Sequence, residues 1–263
     1  MTLPTLATLR LRSAALPALC SAALAALAAW QPAQAASMNV GAQICYVDVG
    51  QTCYQDSRTS PMEVGVQVND GPNYASVVQD WGVFHADAMV SFSGRVTPGH
   101  GEGVRATAGG TTVDTWTLGG HTGMGYLKLI WTVTGATQTS GSGPGYSSTA
   151  FLDLDVTTYA KMPENTSANG YATTGPLYGG RTVEMQGTIP FWFGLPIRVT
   201  TSDYVYVSTG TDDSYIGTSF SGLAQASFGH TAVLTGIVAY DPQGQVLDNL
   251  SISAESGTNY PLS

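Results

Sequence analysis

The stretch "VFHADAMVSFSGRV", residues 83–96, decides the fold class. Phe84, Ala86, Ala88, Val90 and Phe92 occupy every second position, with His85, Asp87, Met89, Ser91 and Ser93 between them. A period of two separates an apolar face from a polar one only in a β-strand, whose successive side chains point to opposite sides. The same alternation returns in "GYLKLIWTVTG" (125–135), where Leu127, Leu129, Trp131 and Val133 oppose Tyr126, Lys128, Ile130, Thr132 and Thr134. It returns again in "TAFLDLDVTTYA" (149–160), where Leu152, Leu154 and Val156 oppose Asp153, Asp155 and Thr157. "DYVYVST" (203–209) and "HTAVLTGIVAY" (230–240) are rich in the β-branched and aromatic residues that suit a half-buried pleated surface.

Helical spacing is the competing pattern, and beyond residue 36 no ten-residue run places apolar residues at i, i+3, i+4 and i+7. Near the end, "GIVAY", "DPQGQ" and "VLDNLSIS" (236–253) read as a hairpin, with Pro and Gly where a type I turn wants them. Gly, Ser, Pro and Asn collect in "TPGHGEG" (97–103), "TSGSGPGYSS" (139–148) and "KMPENTSANGYATTGPLYGG" (161–180). The last is long for a structureless loop, so it is expected to be functional, mobile or built of short strands. Many strands, one polar face each and hairpin connections predict a single antiparallel β-sandwich, jelly-roll-like, with a closed β-barrel as the alternative.

The first 35 residues are expected to be an address and not part of this fold. "MTLPTLATLRLR" carries Arg10 and Arg12, an apolar run follows over 13–30, and Ala33-Gln34-Ala35 supplies small residues for cleavage. That is the layout of a signal peptide, which places the domain at 36–263 in a secreted or periplasmic compartment, with no membrane anchor after cleavage. Two of the nine Lys and Arg leave with this segment and all eighteen Asp and Glu remain, so the net charge becomes −11. Such a surface repels phosphate backbones, which excludes nucleic-acid binding through a basic patch. It is compatible with Ca²⁺, with polysaccharide or with solubility alone.

Cys20 also leaves with the leader, so Cys45 and Cys53 of "ICYVDVGQTCY" (44–54) remain. Two strands folding back across a turn centred on Gly50 bring these sulfurs within bridging distance, and a disulfide is expected. A two-thiolate metal site is the rival, but no nearby His or Cys completes a zinc set.

Catalytic signatures are missing. "GYSST" (145–149) lacks the closing Gly of a nucleophile elbow, and no metalloprotease, phosphate-loop or dinucleotide motif occurs. The chain is therefore expected not to be an enzyme. The weak candidates are carboxylates: Asp153 and Asp155 share a strand face, roughly 6.5–7 Å apart at Cα, a spacing that suits Ca²⁺ ligation or a glycosidase pair. Against this, an outward strand face is expected to be polar anyway. Asp212 and Asp213, with Asp203 near them in sequence, form a turn that could bind Ca²⁺. His85 with Asp87, and His100 with Glu102, are lesser pairs. Four Trp and thirteen Tyr remain after the leader. Of these, Trp81 and Trp116 sit in polar runs and are the candidates for stacking on sugar rings, with the core as the competing location.

The C-terminal third resembles the exported body of PEP-CTERM-type bacterial proteins. The matching residues are Phe193-Gly194-Leu195-Pro196, Phe228-Gly229-His230-Thr231-Ala232, the turn from Asp241 to Gly244, and Ser256 to Pro261. The resemblance implies a signal-bearing β-sandwich associated with exopolysaccharide-producing bacteria, and it supplies no catalytic residue. The family's sorting tag (Pro-Glu-Pro, an apolar segment and an Arg-rich end) has no counterpart in this sequence.

Overall fold

A computed structural model describes residues 36–47, 52–95, 102–211 and 213–263. The expected signal peptide (1–35), His100 and Asp212 lie outside the described residues. The described residues form fourteen strands: β1 (Ser37–Val47), β2 (Cys53–Ser60), β3 (Val64–Asp70), β4 (Asn73–Asp80), β5 (Val83–Arg95), β6 (Glu102–Gly119) and β7 (Met124–Ser142), then β8 (Ser147–Lys161), β9 (Ser167–Thr173), β10 (Gly179–Glu184), β11 (Gln186–Trp192), β12 (Pro196–Thr211), β13 (Ser219–Tyr240) and β14 (Ser251–Ala254). Every ladder between them is antiparallel.

Hydrogen bonding runs β2-β1-β6-β12-β8-β9-β11-β7-β13-β5-β4-β3, with β10 also on β7 and β14 also on β6. The path folds at β11, whose first half pairs with β9 and whose second half pairs with β7. One layer is therefore β2-β1-β6-β12-β8-β9 and the other β7-β13-β5-β4-β3, so the chain is a β-sandwich. From β5 to β8, and again from β12 to β14, each strand crosses to the opposite layer, which is the wrapping of a jelly roll. Among the described residues no ladder joins β2 to β3, so the sheet is not a closed barrel.

The alternation in the sequence is what fills the space between the layers. Phe84, Ala86, Ala88 and Val90 of β5, Leu127, Leu129, Trp131 and Val133 of β7, and Leu152, Leu154 and Val156 of β8 are all buried. Phe92, at the end of its run, is only partly covered and stacks on Phe220 at 5.2 Å. The long loop expected over 161–180 contains β9 and the start of β10, which take Asn169, Gly170, Gly179 and Gly180, while Asn165 ends a 3-10 turn and Gly175, with φ 60°, turns the chain between the strands.

The expected hairpin at 236–253 is brief. Asp241 and Gln245 close the turn, Leu247 N–H donates to Ala239 at 2.9 Å, and the chain then leaves for the other layer, where β14 pairs with β6. The tail next crosses back, so that Ile237 N–H donates to Pro261 and Leu262 bridges Ile237 of β13. Residues 251–263 thus strap the two layers together. Buried Asp114 holds the strap: the Ser256 N–H (3.1 Å) donates to Oδ1, and the Ser256 hydroxyl (2.7 Å) and Tyr260 hydroxyl (2.8 Å) donate to Oδ2. Burial, together with the nearby Asp114 charge, pushes the Tyr260 phenol well up, which keeps it a donor.

Cys45 and Cys53 are directly opposite in the β1–β2 ladder and are disulfide-bonded, with Cα atoms 4.1 Å apart. The bond fits an oxidising compartment. No helix among the described residues is long and apolar enough to cross a membrane.

Candidate functional site

Register places the polar faces of β8, β12 and β9 side by side on the outside of one layer. Phe151, Asp153, Asp155, Thr157 and Tyr159 of β8 face Tyr206, Tyr204, Ser202, Thr200 and Arg198 of β12. Across β8's other edge, Asp155 faces Thr173 and Thr157 faces Tyr171. Because Leu152, Leu154 and Val156 must be inside, the odd-numbered positions of β8 must be outside. The sequence-predicted pair Asp153 and Asp155 is therefore on this outer face.

What surrounds the pair is aromatic. Tyr159 and Tyr171 are each 51% exposed and Tyr178, at the edge of the group, 64%. Tyr204 is about one-third exposed (36%) and packs edge-on against Phe151 at 5.8 Å, while Phe151 stacks on Tyr206 at 5.4 Å. Tyr178, also against Phe151, borders a surface pocket of about 270 Å³ with Pro176 and Arg181. From Phe151 to Tyr159 the platform runs roughly 26 Å along β8. Gly41 of β1 and Gly109 of β6 fall in the same cross-strand row as Tyr204 and Asp153, and a Cβ at Gly109 would lie 2.6 Å from the Tyr204 Cβ. Small residues there leave the Tyr204 side of the face low and open.

The electrostatics follow from crowding two carboxylates among rings. Tyr171 donates its hydroxyl to Asp155 Oδ1 at 2.7 Å. Asp153 Oδ1 is out of contact with solvent and has no hydrogen-bond partner. Desolvation first, and the Asp155 charge second, push the Asp153 carboxyl up to about 6. Burial, and then both carboxylates, push the Tyr204 phenol up to about 12. The ion pairs among the described residues, Arg58–Asp56 and Lys128–Glu184, involve neither aspartate.

The other candidates fall elsewhere. His85 and Asp87 clamp a β-bulge in β13, where the ladder shifts register between Phe228 and Ala232. A ring nitrogen of His85 lies 3.0 Å from the Gly229 carbonyl, and the Gly229 N–H donates to Asp87 at 3.1 Å. A Cβ at Gly229 would strike the Asp87 carboxylate, which explains a glycine in the Phe-Gly-x-Thr-Ala run. Asp203 is buried and not part of a surface turn. Its parity on β12 turns it inward, where Gln79 Nε2 donates to Oδ2 at 2.8 Å and the Gly110 N–H to Oδ1 at 3.1 Å. Asp213 opens a single 3-10 turn, and Glu102 begins β6. No group of three His, Cys, Asp or Glu among the described residues could hold a metal ion, so Asp153 and Asp155 have no third acidic partner for Ca²⁺.

Trp116 is not on the surface. It is buried, donates Nε1–H to Asp114 at 3.3 Å and packs on Tyr260 with centroids 4.6 Å apart. Trp81 is partly buried against the core in the turn between β4 and β5. The exposed rings are tyrosines instead. Tyr159 shares its parity with Asp153 and Asp155, and Tyr204 and Tyr206 alternate in "DYVYVST", so part of the platform is legible from period two alone. Tyr171 is brought in by cross-strand pairing. No protein-family model, curated protein or solved structure matches this chain.

Proposed function

We propose that this chain is an exported, non-catalytic β-sandwich, a matrix or surface-associated component that binds polysaccharide on its β8–β9–β12 face. The observation that carries the reading is the set of exposed Tyr159, Tyr171 and Tyr204 rings co-facial with two carboxylates on adjacent strands of one layer. Rings of this kind offer an apolar surface with a polar rim to a sugar, and the carboxylates and hydroxyls of Ser202, Thr157 and Thr200 accept and donate around it. Rigid strands hold the spacing with little ordering cost on binding. Export is supported by the leader-like segment at 1–35 and by the Cys45–Cys53 bond.

One observation favours a second reading. A carboxyl pushed up to about 6 is what the general acid of glycoside hydrolysis needs, and Asp155 supplies a second carboxylate on the same strand face. The two readings separate in one experiment: a glycan array followed by incubation of each bound glycan with the protein. The non-catalytic reading expects retention without product. Product release that disappears in Asp153→Asn selects the hydrolase or lyase.

A further inference from the structure

We propose that the outer edge of β2 is a self-association site, where a second copy of this chain adds its own β2 antiparallel and centred on Ser57. The proposal does not depend on the glycan reading.

β2 ends one layer, and among the described residues its ladder is to β1 alone. That ladder runs from Met38↔Ser60 to Cys45↔Cys53 without a register shift, and β2 contains no proline. The bulge and the proline that commonly blunt an exposed edge are thus missing. One face of the strand carries Tyr54, Asp56, Arg58 and Ser60, opposite buried Ile44, Ala42, Val40 and Met38. The other carries Gln55, Ser57 and Thr59, all exposed.

The backbone groups of β2 alternate in the same way. The Tyr46 N–H donates to the Thr52 carbonyl at 2.9 Å, so the even-numbered residues of β2 spend their N–H and C=O groups on β1. Gln55, Ser57 and Thr59 turn theirs outward. The Ser57 N–H agrees, because its acceptor is the Asp56 carboxylate at 2.8 Å and not β1.

Charge selects both the partner and the register. Symmetric pairing on Ser57 sets it against the partner's Ser57, and Gln55 against the partner's Thr59, for about six backbone hydrogen bonds. Asp56 then faces the partner's Arg58, and Arg58 the partner's Asp56, at the closely spaced positions of the new ladder. Asp56 and Arg58 already attract each other along β2 at 3.6 Å, so four charges alternate in sign around a square. Their side chains are 43% and 63% exposed, within a partner's reach. The two neighbouring registers that also match backbone groups set Asp56 against Asp56 or Arg58 against Arg58. The edge of the other layer, β3, has a single charge, Asp70, which already accepts from the Tyr46 hydroxyl, so nothing there selects a register. One short ladder is smaller than a standard interface, and the dimer is accordingly weak.

The test is sedimentation equilibrium of the purified, oxidised protein from about 10 µM to about 1 mM. The expected result is a reversible monomer–dimer equilibrium with a dissociation constant on the order of 100 µM. Arg58→Asp makes the square wholly acidic and should weaken the dimer at least tenfold. Asp56→Arg with Arg58→Asp restores the alternation with the signs exchanged and should bring the dimer back to within about threefold of wild type. Ser57→Pro removes an outward N–H that β1 does not use, so it should abolish the dimer while the melting temperature of the dilute monomer stays unchanged. If that variant fails to fold, the charge exchange decides alone. Monomer at every concentration, a dimer that Arg58→Asp leaves intact, or an exchange that does not recover it each overturns the proposal.

Discussion

Replacing Asp114 with Ala removes the post that ties the C-terminal strap to the sandwich. The carboxylate accepts from five donors: the Thr115 and Ser256 N–H groups, the Ser256 and Tyr260 hydroxyls, and Trp116 Nε1. Three of these reach across more than 140 residues of sequence. Hydrogen bonds to a charged group are worth about 1.5–3 kcal/mol each but do not add. Removing the acceptor also strands the Trp116 and Tyr260 donors, so a loss of about 3–5 kcal/mol follows. For a domain of this size that lowers Tm by roughly 10 °C. Tyr260→Phe removes one donor of five and costs about 1 kcal/mol, and in the Asp114→Ala background it should cost almost nothing. Urea unfolding of the four proteins gives the coupling, and hydrogen exchange gives its location. The Ile237 amide, which donates to Pro261, and the Ser263 amide, which donates to Ile237, should lose protection when the strap detaches. A loss under about 1 kcal/mol, with those two amides still protected, would refute the strap.

Three further outcomes follow from the same chemistry. The folded Asp153 carboxyl titrates near 6, above its unfolded value, so its ionisation destabilises the native state. That penalty is absent below about pH 4 and complete above about pH 6. Discounted for its half-exposed position, Asp153→Asn should gain about 1 kcal/mol at pH 7.5 and nothing at pH 3.5; Tm measured at both values checks the sign. Asp203, enclosed between the layers, is pushed well up by burial in the same direction. Asp203→Asn should therefore flatten the fall of Tm that Asp203 ionisation causes as pH rises above the ordinary carboxylate range, whereas Asp203→Ala, which leaves Gln79 and Gly110 without their acceptor, should cost about 2–4 kcal/mol in urea unfolding. Cys45→Ser with Cys53→Ser reopens a short loop and should cost about 2–3 kcal/mol, and thiol titration of the unfolded, oxidised 36–263 chain, which lacks Cys20, should find no free cysteine.

Much of this architecture is written locally. The period-two runs at 83–92, 127–133 and 152–156 name both the strands and their buried faces, because one buried layer per strand leaves no other way to hide those side chains. The disulfide is legible for the same reason: two cysteines flanking a turn become cross-strand neighbours in a hairpin. What is not legible is pairing between distant strands. Nothing near Tyr171 in the sequence says that it will reach Asp155, and nothing near Asp114 announces Ser256 and Tyr260. Trp116 sits in a polar run, yet its indole turns inward because Asp114 and the strap supply a buried acceptor and a ring to pack on. His85 and Asp87 look like a ligand pair by spacing and are spent on a bulge that only the β5–β13 register creates. The resemblance motifs gain a physical account in the same way: Ser256 and Tyr260 are the strap's anchors. Gly194, with φ 77°, is the turn that carries the chain from β11 to β12.

The central claim, that the outer face of β8, β9 and β12 binds polysaccharide, is tested most directly by calorimetric titration of a soluble glycan from the array into wild-type protein and into Tyr171→Ala/Tyr204→Ala. Neither ring is in the core, so the double variant should fold with an unchanged far-UV spectrum. Each stacking ring is worth about 1 kcal/mol, so affinity should fall roughly 25-fold or more. A double variant that binds the same glycan as tightly as wild type would place the binding elsewhere and contradict the account.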